Sequence, residues 1–294
     1  MLLSGGLDTS ILAVIASGRF AFKAITVAFD GAEAPDLTFA KQVADHLGLE
    51  HIICRFSWDE ALEAIRQVVK IMHTFDPMEV RNDVAILIAL KHAKANNLTA
   101  AITGDGCDEL FAGYSFFFEY DAERVGVELE KMWKTMRFAS VAIAGDLGVG
   151  AKLPFLDPEV QSFAAKLDPN YLVRGQEGRK HGKWILRKAF EGMLPDEVIW
   201  RVKTPIECGT GTTIFPRVFD SAISDGEFER KVRKYLEEDG VALKDKEQLF
   251  YYGIYRSVIG VPRGDESYGR TCPKCRSNIR PEASYCRTCG AFPI

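Results

Sequence analysis

The 294-residue chain has no apolar run near the roughly 20 residues that span a bilayer, and its N-terminus lacks the basic, apolar and cleavable regions of a signal peptide. A cytoplasmic protein without a membrane partner is the expectation. Net positive charge is also lacking: a formal charge of -4 and a pI near 5.8 give no general attraction to polyanions, so RNA contact would need a local basic patch. Only five histidines occur, none with zinc-ligand spacing. What is present is a 47% hydrophobic composition, enough to bury a full core. Of the seven cysteines, four form two close pairs near the C-terminus, while Cys54, Cys107 and Cys208 stand singly. That distribution points to a metal site rather than a disulfide framework.

Short apolar strands alternate with helix-period segments through the first half, the pattern of a parallel sheet covered by helices. Leu2-Leu3 ends a first strand, and a helix over Thr9 to Ser17 closes at Gly18. Ala24 to Phe29, His51 to Phe56 and Thr99 to Thr103 read as further strands. Phe39, Val43 and Leu47 mark a helix before Gly48, Ser57 and Glu60 a capping box for a helix to about Met72, and Val84 to Ala95 another helix. A doubly wound α/β domain follows from this order.

From about Asp121 the pattern turns helical, with Val160 to Leu167, Trp184 to Met193 and the charged stretch Glu227 to Glu238 as candidates. We divide the chain into a domain over residues 1–262, a linker over 263–270 and a cysteine module over 271–294. Only Met1 to Leu3 precede the glycine loop, shorter than the usual central strand, which raises the expectation that native residues precede them.

The loop Ser4-Gly5-Gly6-Leu7-Asp8-Thr9-Ser10 follows a strand and opens a helix. Adjacent glycines let a backbone approach a phosphate without Cβ obstruction, and the helix start offers N–H groups and the positive dipole end. Ser4, Thr9 and Ser10 add hydroxyls, but the Walker A lysine and spacing are missing. A tight turn fits the same three elements. Asp8 and Asp108 each lie just past a strand's C-terminal end, where open α/β sheets place ligands, and two carboxylates there suit Mg²⁺. Helix N-terminal charge alone also accounts for Asp108 and Glu109.

These residues carry a family resemblance. The SGGLDTS loop resembles the pyrophosphate loop of the N-type ATP pyrophosphatases, with the adenine nucleotide alpha hydrolase-like fold. Thr103-Gly104-Asp105-Gly106-Cys107-Asp108-Glu109-Leu110-Phe111-Ala112-Gly113-Tyr114 narrows this to the synthetase domain of asparagine synthetase, whose G-[ED]-G-x-D-E-L-F-x-G-Y segment it closely resembles. Phe75-Asp76-Pro77 with Arg81 and Asn82, Leu153-Pro154-Phe155-Leu156-Asp157, and Leu186-Arg187-Lys188-Ala189-Phe190 with Leu194-Pro195 resemble further family segments in the same order, over roughly residues 1 to 256.

The resemblance implies ATP as cosubstrate, cradled by Ser4 to Ser10 and Gly104, and Mg²⁺ on Asp8 and Asp108. It places Asp105 beside the acyl acceptor, to orient substrate or take a proton as ammonia attacks. Lys203 is the implied cation for departing pyrophosphate, from a Lys203-Thr204-Pro205-Ile206-Glu207-Cys208-Gly209-Thr210-Gly211 loop in which Glu207-Cys208 replaces the family's Ser-Asp. Lys183 and Arg187 read as an exposed helix face before phosphate ligands, and Cys107 as a spacing residue.

Cys272, Cys275, Cys286 and Cys289 form C-x₂-C-x₁₀-C-x₂-C, which fits a closed structural Zn²⁺ ribbon. Lys274, Arg276, Arg280 and Arg287 supply a basic patch or simply solubility.

The leading expectation is an ATP-dependent, AMP-forming amidoligase of amino-acid biosynthesis, with a carboxylate such as aspartate and ammonia as substrates. The family's glutaminase domain has no counterpart in these residues, which implies free ammonia, a separate glutaminase subunit, or a glutaminase domain upstream of the given sequence. Two alternatives stand beside it: a tRNA-modifying adenylating or thiolating enzyme, which the ribbon favours, and a nucleotide-binding regulatory or scaffolding protein.

Overall fold

Burial explains where the strands form. In β1 (Lys23–Phe29) every residue after Lys23 is buried, which suits its β-branched and aromatic content. It pairs with β2 (Glu50–Phe56), while β3 (Ala100–Ile102) pairs in parallel with β4 (Gly150–Lys152). The segment 1–3 joins the two pairs. Leu2 bridges Ile25 in parallel, Leu3 donates to the Ile25 carbonyl at 2.8 Å, and Leu2 donates to the Ile102 carbonyl at 2.9 Å. The lateral order is therefore β2, β1, the segment 1–3, β3, β4, in an α/β fold. A small hairpin of β5 (Arg174–Gln176) and β6 (Arg179–His181) lies outside the sequence expectation.

Helices α1 (Leu7–Ser17), α2 (Pro35–Leu47) and α3 (Trp58–Met72) fall where their periodicity predicts. Gly48 closes α2 with φ 64°, and the expected capping box opens α3, with Ser57 accepting from the Glu60 amide and Glu60 accepting from the Ser57 amide. Helix α4 (Pro77–Ala95) starts seven residues before the expected Val84, because Pro77 sits at the helix start, where a missing N–H costs nothing. Arg81 and Asn82 are thus helical residues. The remaining helices are α5 (Cys107–Leu110), α6 (Ala122–Trp133), α7 (Ala139–Leu147), α8 (Pro158–Ala164), α9 (Trp184–Ala189), α10 (Asp196–Ile199), α11 (Ile206–Thr210), α12 (Phe215–Ala222), α13 (Asp225–Asp239) and α14 (Lys246–Val258). The charged α13 buries none of its residues, as its composition predicts.

This computed structural model describes residues 1–176, 178–265 and 269–294; residues 266–268 of the expected linker lie outside the described residues. The chain forms two compact units. The first comprises Met1–Ala28, Ala34–Arg55 and Ala89–Pro205, the second Phe29–Glu33, Phe56–Ile88 and Ile206–Ile294. Leu3, Ile11, Val43, Phe111, Phe117 and Val198 belong to the first unit's core. The second unit is aromatic: Trp58 meets Phe215 at 5.2 Å and Phe75 meets Tyr252 at 5.0 Å between ring centroids. No helix among the described residues is long and apolar enough to cross a membrane.

The cysteine module belongs to the second unit and is bonded to it through backbone and side chain. Phe75 donates its amide to the Thr288 carbonyl at 2.8 Å, Ala242 donates to the Lys274 carbonyl at 2.8 Å, and the Gln248 side chain donates to the Cys289 carbonyl at 2.7 Å. Tyr285 donates its hydroxyl to Asp76.

Candidate active site

The glycine loop is closed by its own hydroxyls. Ser10 donates to the Gly6 carbonyl at 2.7 Å, Thr9 donates to the same carbonyl at 3.3 Å, and the Ser4 hydroxyl accepts the Gly6 amide at 3.2 Å. Gly5 has φ 65°, and a Cβ there would stand 2.3 Å from the Ala40 nitrogen, so conformation and the approach of α2 both require glycine. Gly6 caps α1 with no side chain bonded to that helix end, and Leu7 is buried while Asp8 sits in the first turn. The turn geometry and the helix-start site coexist here.

The second motif approaches the first through Gly104, where a Cβ would stand 3.0 Å from the Asp8 Cβ and 3.1 Å from the Thr9 methyl. Gly106 then turns the chain with φ 92° and caps the short α5, which carries Asp108. Asp108 is held at about 2: burial pushes its carboxyl up, but Lys183 and Lys203 overcome burial. Asp105 accepts from Thr103 at 2.9 Å and from the Ser140 hydroxyl. Burial raises its carboxyl above the ordinary range against those two hydrogen bonds. Glu109 accepts from the Tyr114 hydroxyl at 2.6 Å and is likewise raised by burial.

Lys183 corrects the sequence reading. It and Arg187 are buried, at 3% and 5% exposure, not an exposed helix face. Lys183, the cap of α9, turns inward to acids distant in sequence, and Arg187 to backbone carbonyls. The Lys183 ammonium lies 2.5 and 2.6 Å from the two Asp8 oxygens and 2.7 Å from Asp108 Oδ1. Burial disfavours its charge, yet Asp108 and Asp8 raise it above the ordinary lysine range. Lys203 reaches Asp108 Oδ2 at 2.9 Å and keeps a side chain 36% exposed. Asp8, Asp108, Lys183 and Lys203 therefore meet beside the glycine loop, with Asp105 close enough to feel the charges of Asp8 and Lys203. The signal for Lys183 was Gly182: a Cβ there would stand 2.1 Å from the Ala112 carbonyl oxygen, so the lysine's backbone abuts the acidic motif. Ser140 and Arg201 carried no motif and were missed. Cys107 is fully buried and its thiol is pushed well up by burial, consistent with a spacing role.

Both aspartates reach a single cationic nitrogen with hard carboxylate oxygens, the donor type that Mg²⁺ requires. The four module cysteines are buried, with ligand atoms all within 4.8 Å of one another. Cys272 to Cys289 and Cys275 to Cys286 measure 3.7 Å, matching the edge of about 3.8 Å in a tetrahedron with Zn–S bonds near 2.3 Å. The donor set fits zinc.

A second charged network belongs to the second unit. Arg81 pairs with Glu207 and, at 2.6 Å, with Glu247, while Asn82 accepts the Glu207 amide at 2.8 Å. Glu207, the residue that departs from the resembled loop, is thus bound to Arg81.

The asparagine synthase family model matches residues 1–142 and 138–260. Among curated relatives, a probable glutamine-hydrolysing asparagine synthetase of Dictyostelium discoideum is 30% identical over 288 residues, covering 88% of this chain and 51% of that protein. Asparagine synthetase B of Escherichia coli is 28% identical over 290 residues, covering 90% and 51%, and the human enzyme is 30% identical over 221 residues, covering 71% and 39%. The chain spans about half the length of the first two. Among solved structures, a predicted subunit of tRNA methyltransferase from Methanocaldococcus jannaschii covers 69% of this chain at 16% identity, with 92% of its own length covered and a TM-score of 0.31, too remote to bear on function. With the family match running through both glycine-rich loops and both lysines that meet at Asp108, this chain belongs to the asparagine synthase family.

Proposed function

We propose that the chain is an ATP-dependent, AMP-forming amidoligase that activates a carboxylate and transfers ammonia to it. The observation that carries this reading is the meeting of Asp8, Asp108, Lys183 and Lys203 beside a glycine loop at a helix start. Ser4 to Ser10 and Gly104 bind the phosphates. A carboxylate oxygen of the substrate attacks the α-phosphorus, the bond to pyrophosphate breaks, and Lys203 and Lys183 offset the charge on the leaving group. Ammonia then attacks the acyl carbon, AMP departs with the acyl oxygen, and Asp105, made more basic by burial, takes the proton lost from nitrogen. Asp8 and Asp108 would hold Mg²⁺, which supplies phosphate charge neutralisation when bound.

Aspartate is the first acyl substrate to test. The curated relatives carry glutamine-hydrolysing names, and a glutaminase supplying ammonia to this chain is the corresponding proposal. The strand order supports a doubly wound sheet with the loop at its switch point, where strand direction of succession reverses around segment 1–3. Residues 1–262 form the catalytic part in this reading, joined through 263–270 to a zinc ribbon over 271–294.

ATP–pyrophosphate exchange, measured with a panel of amino acids and with tRNA, tests the reading. Stimulation by a carboxylate substrate is expected; stimulation by tRNA alone overturns it, and ATP binding without exchange points to a regulatory protein. For the ribbon, metal analysis should return one zinc per chain. Cys289→Ser should lower that content and speed amide exchange at Phe75 and Ala242, whose acceptors lie in the ribbon.

A further inference from the structure

One buried guanidinium gathers three carbonyls behind the site. Arg187 donates from Nε to the Gly182 carbonyl at 2.9 Å and from Nη1 to the Ile199 carbonyl and, at 3.2 Å, the Arg201 carbonyl. It forms no ion pair among the described residues, and the Trp200 ring centroid is 5.9 Å from its guanidinium carbon. Gly182 precedes Lys183, and Arg201 stands two residues before Lys203.

The backbone at these positions needs such support. Lys183 has φ 55°, a left-handed conformation that non-glycine residues seldom adopt, and its amide donates to the Phe111 carbonyl at 3.0 Å. The Arg201 side chain continues the chain of contacts. It donates to the Ser4 carbonyl at 3.0 Å, pairs with Asp36 at 2.6 Å and lies 4.1 Å over the Phe39 ring. One path of guanidinium–carbonyl contacts therefore runs from α9, through both lysine-bearing segments, to the first residue of the glycine loop, all within the first unit.

We propose that Arg187 and Arg201 are positioning residues for the pyrophosphate side of the reaction: Arg187 aligns Lys183 and Lys203 on Asp8 and Asp108, and Arg201 holds the glycine loop in register with the Lys203 segment. The proposal rests on the ATP reading above. Neither residue touches the reacting atoms. Lysine at either position keeps the charge but cannot fork between separated acceptors.

The test uses the full chain, with exchange kinetics and melting temperature measured together. Arg187→Lys should lower kcat about tenfold or more, with KM for ATP within about threefold, since small misplacements of stabilising groups cost rate. Arg201→Lys should raise KM for ATP about tenfold with less effect on kcat, because it loosens the loop that binds ground state and transition state alike.

An activity-independent readout accompanies these assays. Amine labelling at Lys203, scored by mass spectrometry against exposed Lys41 and Lys131, should rise at least about threefold in Arg187→Lys as the lysine leaves its aspartate. Unchanged labelling and kinetics in a folded variant overturn the proposal, and so does loss of folding in both variants, which would make the pair purely structural. If Arg187→Lys alone fails to fold, Arg201→Lys decides. Absence of exchange in the unaltered chain sinks the ATP reading instead, and the labelling ratio still decides whether Arg187 positions Lys203.

Discussion

Two charged clusters, one in each unit, use similar side chains with opposite balance. In the first, Asp8 and Asp108 face two ammonium groups, and Asp108 stays ionised, held at about 2 against its burial. In the second, Glu207 and Glu247 share one guanidinium, that of Arg81, and Tyr251 donates its hydroxyl to Glu247 at 2.8 Å. Burial there wins over Arg81 and pushes Glu247 up to about 7. Burial alone therefore does not decide the charge of an acid: two ammonium groups outweigh it at Asp108, and one guanidinium does not at Glu247. The first cluster keeps Asp108 charged and has Lys203 partly open to solvent, which suits a polyanionic ligand. The second is sealed by its own tyrosine and arginine, which suits a scaffold.

The largest test of that contrast removes the central acid of the first cluster. Asp108→Ala should depress ATP–pyrophosphate exchange by about 10³-fold or more, in line with loss of a group acting directly on a reacting centre. Near-normal exchange would refute the proposal that Asp108 holds Mg²⁺ for the reaction.

Next in size is Glu207→Gln, which weakens one arm of the Arg81 network while Glu247 remains. It should cost about 1–3 kcal/mol in denaturant unfolding, the range for a buried hydrogen-bonded charge losing one charged partner. No change in midpoint would place Glu207 among surface acids.

The last test is a pH slope. Glu247 and Glu79, both pushed up to about 7 from an ordinary value of 4.5, bind more protons folded than unfolded between those values. Their contribution to stability is therefore full below about pH 4.5 and falls as pH rises toward 7. Asp108 behaves oppositely: its contribution is present above the ordinary 3.8 and is lost as pH drops toward 2. Glu247→Gln should lessen the slope of the melting-temperature profile between pH 4.5 and 7, leaving the share of Glu79 and the acid limb intact. A profile unchanged by the substitution would remove Glu247 as the titrating group.

Much of the fold was legible because its signals are local. The capping box at Ser57 and Glu60, the glycine closing α2 and the charged, unburied character of α13 depend on residues within one or two turns. The start of α4 was misread because the apolar run begins at Val84, although Pro77 was the better marker of the first turn. In the candidate site, the loop, Asp105, Asp108 and Lys203 were named from motifs. Lys183 was read outward, since a short run of basic and apolar residues cannot reveal that acids at positions 8 and 108 converge on it.

The sequence alone determined the chemical inventory: a glycine loop before a helix, acids at strand ends, and four cysteines in two pairs. Those are consequences of backbone sterics, helix-end polarity and ligand spacing over short distances. Which charges are buried, and what neutralises them, followed from how distant segments pack. Asp8, Asp108 and Lys183 lie 175 residues apart at their extremes yet share one nitrogen, and the cysteine module is tied to α14 and to Phe75, the residue just before Asp76. Desolvation and Coulomb attraction depend on three-dimensional neighbours, and those neighbours are set by how the whole chain packs.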